Sequence, residues 1–162
     1  MSGASESSAD SRKKLYEELN TCLSGLLDGE SDEIANMANA AALLYQFLPD
    51  INWAGFYRHQ SGELVLGPFQ GQPACIRIPM GKGVCGIAAE KREIQIVEDV
   101  RQFPGHISCD SSSRSEIVLP IQKNNGLMGV LDIDSPEKNR FDRIDAEGLK
   151  EFVLRFVQNM EN

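Results

Sequence analysis

Apolar residues recur at helical spacing at Leu15, Leu19, Cys22 and Leu26, and Gly29 ends that run. Ser31 stands where it can cap a second helix with the stripe Ile34, Met37, Ala38, Ala41, Leu44 and Phe47, stopped by Pro49. The period then changes from helical to alternating. Ile51 to Arg58 reads as a strand, with Trp53, Gly55 and Tyr57 on one face and Ala54 and Phe56 on the other. Ser61-Gly62 supplies a turn into a hairpin partner, Glu63 to Leu66. The stretch 67–73, rich in Gly and Pro, predicts a loop, and Ala74 to Ile78 a further strand. Gly81-Lys82-Gly83 leads into a short helix, Val84 to Lys91, followed by a brief strand, Ile94 to Val97. Two more strands, Ile117 to Ile121 and Leu127 to Asp134, flank a tight turn at Asn124-Asn125-Gly126. Asp142, with Asp145 three residues on, opens a closing helix whose stripe is Leu149, Phe152, Val153, Phe156 and Met160.

Two helices, several mostly antiparallel strands with a short helix inserted, and a final helix make an α+β domain. The terminal helices are expected on one face of the sheet, leaving the other face and the long loops for a ligand. At 162 residues the chain is read as one domain over 11–162, preceded by a flexible Ser/Ala/Glu-rich tail over 1–10. A net charge of −8 and a pI near 4.8 argue against nucleic acid and anionic membrane as partners. No apolar run approaches spanning length and the N-terminus lacks the apolar core of a signal peptide, so the expected address is the cytoplasm. There, the four cysteines are not expected to form structural bridges, and any that pair are expected to do so transiently and catalytically.

Between the strands ending at Val97 and beginning at Ile117 lies a long segment without periodicity. It includes Phe103-Pro104-Gly105-His106-Ile107-Ser108-Cys109-Asp110. Segments of this kind in a compact domain are functional or disordered, and a Phe, a Pro, a His and a Cys are poor linker material. Cys109 is therefore the candidate reactive thiolate. Three other readings carry less. Gly81-Lys82-Gly83-Val84-Cys85-Gly86 has the G-x-G-x-x-G spacing but lacks the βαβ unit and ribose-binding acid of a dinucleotide site, so a tight turn at a helix start is the better account. Zinc is disfavoured because Cys75, Cys85, His106 and Cys109 contain none of the usual close ligand pairs. A Cys/His hydrolase would rest on His106 or on His59 at a predicted hairpin turn, with nothing to identify an oxyanion hole.

The acids say more. Asp132 and Asp134 are two apart on a predicted strand that is otherwise apolar, so they share a face, and strand interiors avoid Asp. With Glu116 they could form crowded carboxyls, one of them protonated near neutral pH and able to donate. Trp53 and Tyr57 read equally as core aromatics or as a pocket wall, the latter because Gly55 between them leaves space. Three cysteines outside the opening helices, with clustered acids, suggest thiol redox chemistry. A thiolate that takes oxygen from a sulfoxide needs an acid for the departing oxygen and a second thiol for the sulfenic acid.

Taken together, Asn52-Trp53-Ala54-Gly55-Phe56-Tyr57, Gly67-Pro68-Phe69-Gln70-Gly71, Ala74-Cys75, the 81–86 glycine motif, the segment from Phe103 through Asp110, Ser115-Glu116-Ile117-Val118 and Gly129-Val130-Leu131-Asp132-Ile133-Asp134-Ser135-Pro136 resemble one family. It is the free methionine-(R)-sulfoxide reductases, single GAF-domain enzymes. The resemblance implies an antiparallel sheet of about six strands with terminal helices on one side. It implies Cys109 as nucleophile, Cys75 as the main resolving thiol, and Cys85 as a second or alternative one. Glu116, Asp132 and Asp134 would hold and protonate the sulfoxide oxygen or anchor the substrate ammonium, and Trp53 and Tyr57 would enclose the S-methyl group. It further implies free methionine-(R)-sulfoxide as substrate, thioredoxin as reductant, a homodimer, and no metal or organic cofactor. A pocket with partners for both ammonium and carboxylate would reject peptide-bound residues. Loop N–H groups are the expected carboxylate partners, with Arg77 and Arg114 as further contributors. The rival reading is a non-catalytic GAF sensor of a small molecule or redox state. Against it stand the cysteine trio and a chain that ends at its closing helix with no output domain.

Overall fold

The computed structural model describes residues 2–107, 109 and 111–161. Two helices open the chain, α1 (Ser2–Leu27) and α2 (Glu33–Phe47). Then come β1 (Trp53–Gln60), β2 (Glu63–Gly71), β3 (Arg77–Pro79), α3 (Gly83–Lys91), β4 (Gln95–Val97) and a 3-10 turn at Val100–Gln102. The chain closes with β5 (Ser115–Lys123), β6 (Gly126–Ser135) and α4 (Arg143–Glu161). The strands form one six-stranded sheet in the order β3-β2-β1-β6-β5-β4, every pairing antiparallel. This is the expected α+β architecture.

Alternation divides the sheet's residues between two cores. Ala54 and Phe56 of β1, Ile117, Leu119 and Ile121 of β5, and Leu131 and Ile133 of β6 pack with α1, α2 and α4. Trp53, Tyr57, Val118 and Val130 face the other way, toward α3 and the loops around it. A one-residue slip would exchange the two faces, so burial of both sides sets the register firmly. At the hairpin between β5 and β6, Asn124 and Asn125 both have positive φ, 53° and 62°, as a two-residue turn of the twist-compatible type requires.

Several helix and strand details differ from the pattern read in the sequence. In α1 the buried apolar positions are Tyr16, Leu19, Leu23 and Leu27; Cys22 and Leu26 face solvent. The observed stripe is the expected one moved one residue along at three of its four positions, and Tyr16 fixes it. Its hydroxyl donates to Asp145 at 2.6 Å, which turns the aromatic edge of the helix inward. Helix α1 starts at Ser2, inside the stretch set apart as a tail, and Arg12 ties it to α4 through Asp142 at 2.6 Å. The cap of α2 is Asp32 rather than Ser31, accepting from the Ala35 N–H at 2.8 Å. Ile34 and Ala38 are exposed, while Asn36 and Ala40 are buried in their place. Helix α4 begins as expected, with a reciprocal box: the Asp145 N–H donates to Asp142 and the Asp142 N–H to Asp145.

The predicted loop over 67–73 is largely strand. β2 continues to Gly71, and its register against β1 slips between Gly55 and Tyr57, so the Gly67-Pro68 region is accommodated as a bulge. Conversely, the strand expected over Ala74 to Ile78 shortens to Arg77–Pro79. Residues 72–76 thus form an irregular crossing that carries Cys75. Helix α3 joins strands at opposite edges of the sheet. Its glycine motif makes a turn, with Gly81 and Gly83 at positive φ and no room for a Cβ at Gly86 against the Pro79 carbonyl. Among the described residues no helix is long and apolar enough to cross a membrane.

Candidate active site

Residues distant in sequence meet on the α3 face of the sheet. Asp132 and Asp134 alternate out of β6 toward this face, as their spacing predicts. On β5, Glu116 lies directly opposite Asp134 in the ladder, and Val118 opposite Asp132. On the other side of β6, Trp53 pairs with Asp134 and Gly55 with Asp132. The central strand therefore places two acids between an aromatic strand and a third acid. Like charges directly across a strand pair destabilise it unless a proton separates them.

Above these strands α3 contributes Gly83, Val84 and Cys85. The loop before β3 contributes Pro73 and Ala74, and the long loop contributes His106, Ile107, Cys109 and Ser113. All line one cavity of ≈ 40 Å³ together with Trp53, Tyr57, Ile78, Glu116, Asp132 and Asp134. Cys75 and Cys109 are joined by a disulfide with their Cα atoms 5.4 Å apart, an ordinary separation for that bond. It ties the irregular crossing after β2 to the long loop before β5. Cys85 is a free, buried thiol.

Burial, reinforced by the charges of Asp132 and Asp134, holds the Glu116 carboxyl well above the usual carboxylate range. Hydrogen bonds that its protonated carboxyl donates to the two aspartates act in the same direction, so Glu116 is the proton holder of the group. Burial lifts Asp132 to about 6, against hydrogen bonds to Glu116 and Cys85 that favour its ionised form. The Cys85 thiol is pushed well up, by burial first and then by Asp132, Glu116 and Asp134, so it stays protonated and donates to Asp132. Its Sγ and one carboxylate oxygen each from Glu116 and Asp132 lie within 4.8 Å of one another. A trio of that kind can hold a divalent cation; a shared proton is the other way to keep it together. Asp132 Oδ1 is buried without a hydrogen-bond partner among the described residues. The cavity thus offers an acceptor beside a protonated acid.

The aromatic wall is built by stacking. Trp53 lies against Phe69 with centroids 5.2 Å apart and against Tyr57 at 6.0 Å. Gly55 does not open this wall to a ligand, contrary to expectation. A Cβ there would overlap Phe69 and come within 2.9 Å of the Trp53 ring, so the freed space is filled by those two side chains. Their polar ends are also engaged: Trp53 Nε1 donates to the Gln72 carbonyl at 3.1 Å and Tyr57 Oη to the Cys75 carbonyl at 2.8 Å. Burial, then the charge of Asp132, raises the Tyr57 phenol, which keeps its proton.

All eight residues singled out in the sequence (Trp53, Tyr57, Cys75, Cys85, Cys109, Glu116, Asp132 and Asp134) are in or bonded to this one site. Two arginines weighed for it are not. Arg77 pairs with Glu63 on the surface, and Arg114 turns to Asp99 at 3.5 Å; neither lines the cavity. His106 does line it, and burial lowers its pKa, which leaves the imidazole neutral at pH 7. His59 lies on β1, two residues past Tyr57, away from the cavity lining. Ser113 is the residue the sequence reading missed. It is buried in the cavity wall and accepts from the Asn52 side chain at 3.2 Å. Nothing in a serine-rich loop distinguishes it beforehand. Asp110 and Ser108, on either side of Cys109, lie outside the described residues.

Residues 23–159 match the family model of the GAF domain. The free methionine-R-sulfoxide reductase of Escherichia coli is 50% identical over 144 residues, covering 89% of this chain and 87% of that one. The enzyme of the same name from Saccharomyces cerevisiae is 46% identical over 150 residues, covering 88% and 83%. Among solved structures, free methionine-R-sulfoxide reductase from Neisseria meningitidis in complex with its substrate superposes with a TM-score of 0.89 at 43% identity, over 92% of this chain and 90% of that one.

Proposed function

Because this chain belongs to the free methionine-R-sulfoxide reductase family of GAF domains, we propose that it reduces free L-methionine-(R)-sulfoxide to L-methionine. The observation that carries this reading is one cavity lined by Cys109, disulfide-bonded to Cys75, and by three acids, one of them held protonated. Cys109 is the nucleophile. Its thiolate attacks the sulfoxide sulfur while Glu116 delivers a proton to the oxygen. The oxygen passes to Cys109 as a sulfenic acid, and methionine leaves with its sulfur reduced by two electrons. The Cys75 thiol then attacks the sulfenic sulfur, forming the Cys75–Cys109 bond and releasing water. A dithiol protein of the thioredoxin class reopens the bond and becomes disulfide itself.

Each acid has a distinct part. Glu116, most strongly held neutral, is the proton donor; Asp132 and Asp134, beside it on β6, hold the substrate ammonium and restore the proton. Trp53 and Tyr57 present ring surface to the S-methyl group. Cys85, buried and hydrogen-bonded to Asp132, acts as a donor that orients that carboxylate; it is the reserve partner for Cys109 rather than the main one. The oxidised cavity, ≈ 40 Å³, admits a few waters but no amino acid. Substrate accordingly binds the dithiol form, and the disulfide form is the state presented to the reductant. Residues 11–162 act as a single catalytic domain in the cytoplasm, and the active species is a homodimer.

Single-turnover release of methionine tests the assignment. Cys109→Ser is expected to release none, and Cys75→Ser one equivalent before stalling. Full release from Cys109→Ser would end it. A disulfide map after oxidation by substrate should show Cys75–Cys109 as the dominant bond.

A further inference from the structure

Resolution of a sulfenic acid depends on where the second thiol stands when the first has been oxidised. Cys75 belongs to neither flanking strand. It sits in the crossing between Gly71, where β2 ends, and Arg77, where β3 begins. Irregular segments of this kind lack the ladder that fixes a strand, so their position is set by whatever satisfies their carbonyls. Three carbonyls of this crossing have donors on the sheet. Gln72 accepts from Trp53 Nε1 at 3.1 Å, Cys75 from Tyr57 Oη at 2.8 Å, and Ile76 from the Leu66 N–H at 2.8 Å. Two of the three donors are the aromatic side chains that wall the cavity, both on β1 and both almost wholly buried.

We propose that Tyr57, with Trp53, is a positioning residue for the resolving thiol: the phenol O–H on the Cys75 carbonyl holds the crossing where the Cys75 sulfur meets the sulfenic acid of Cys109. The inference rests on the reading of Cys109 and Cys75 as nucleophile and resolving thiol. It adds to the two rings a second duty, separate from contact with the methyl group. The ring surfaces serve the first step and the polar atoms serve the second. Orientation of one reacting group against another is the part of a rate most easily lost to a small displacement, and Cys75 has to approach within bonding distance of a residue 34 positions later in the chain.

Tyr57→Phe removes the donor and keeps the ring. Losing one buried neutral hydrogen bond corresponds to about a five- to tenfold change in a population or rate. Disulfide formation should slow by that factor, and Cys109 sulfenic acid, trapped by a dione probe, should accumulate. Methionine release in the first turnover should fall by less. A second arm avoids the sulfoxide. Hydrogen peroxide oxidises the Cys109 thiolate to sulfenic acid with release of hydroxide, and loss of the Cys75 thiol is then followed directly. Trp53→Phe, which keeps an aromatic ring and removes the N–H, should slow resolution in the same direction in both arms. Circular dichroism and thermal unfolding confirm that each variant is folded. Wild-type resolution rates in both folded variants would overturn the inference, as would equal slowing of both steps. If the wild-type protein resolves peroxide-generated sulfenic acid through Cys75 yet releases no methionine from free sulfoxide, the reductase reading fails while the positioning role is still measured. If neither folded variant nor wild type forms the Cys75–Cys109 bond after peroxide, the inference fails by itself.

Discussion

Replacing Asp132 by Asn should make this protein more stable at neutral pH while slowing its chemistry. Asp132 is almost fully buried, and its pKa rises from 3.8 to about 6 in the fold, mainly through desolvation. A shift of that size corresponds to about 3 kcal/mol between folded and unfolded states. Between pH 3.8 and 6 the folded protein still binds the proton that the unfolded chain has released, so stability falls as pH rises through this interval. Below it both states are protonated and the group contributes nothing; above it the full cost persists. Glu116, whose pKa is raised well above 4.5, acts with the same sign from that value upward. Asp142 acts oppositely: its hydrogen bond to Arg12 lowers it to about 2, and its contribution is lost only as pH falls from 3.8 toward that value. Between pH 4 and 7 the buried acids are opposed by His106, whose lowered pKa makes stability rise with pH, and the difference between wild type and Asp132→Asn removes that shared background. In Asp132→Asn the amide oxygen can still accept from Cys85 and Glu116, and the amide NH2 can meet water in the cavity. Up to about 3 kcal/mol should be gained at pH 7, less whatever the new amide fails to satisfy. Urea unfolding of the oxidised protein at several pH values, at one protein concentration, measures this. A variant no more stable than wild type at pH 7, with the same slope between pH 4 and 6, would refute both the raised pKa and its cause.

Two structural predictions accompany it. Gly129 pairs with Arg58 across β1 and β6, where a Cβ would collide with the Tyr57 carbonyl and the Arg58 backbone; Gly129→Ala should cost about 3 kcal/mol in urea unfolding and disturb the ladder beneath the aromatic wall. Tyr16→Phe leaves Asp145 without its closest donor while the partners Arg12, Arg140 and the Asp142 N–H remain; unfolding free energy should drop by about 2 kcal/mol, with the active site unaffected in single-turnover release.

Much of the fold follows from local pattern. The alternation at Trp53 to Tyr57 determined which side chains face the helices and which face the cavity, because successive strand residues point to opposite faces whatever the rest of the chain does. The same geometry made Asp132 and Asp134 neighbours. The tight turn at Asn124-Asn125-Gly126 was legible because few residues tolerate the positive φ values such a turn needs. Where local signals competed, they were insufficient. The stripe read for α1 was Leu15, Leu19, Cys22 and Leu26, and the observed one is set by the buried Tyr16–Asp145 hydrogen bond to a residue 129 positions away in sequence. Pro68 suggested a loop, yet a bulge lets β2 continue past it.

The sequence by itself thus determined the order of elements, the faces of the central strands and the chemical character of the site: thiols, acids and aromatic rings. Tertiary structure decided their pairing. Glu116 opposes Asp134 only because β5 and β6 are in that register, and Gly55 makes room for Phe69 and Trp53 only because β2 lies alongside. Cys75 reaches Cys109 because the crossing after β2 and the long loop before β5 are folded onto the same face. The protonation of Glu116 is likewise a property of burial beside two other acids. Register, burial and electrostatic coupling depend on residues far apart in the chain, and local patterns carry no record of those distances.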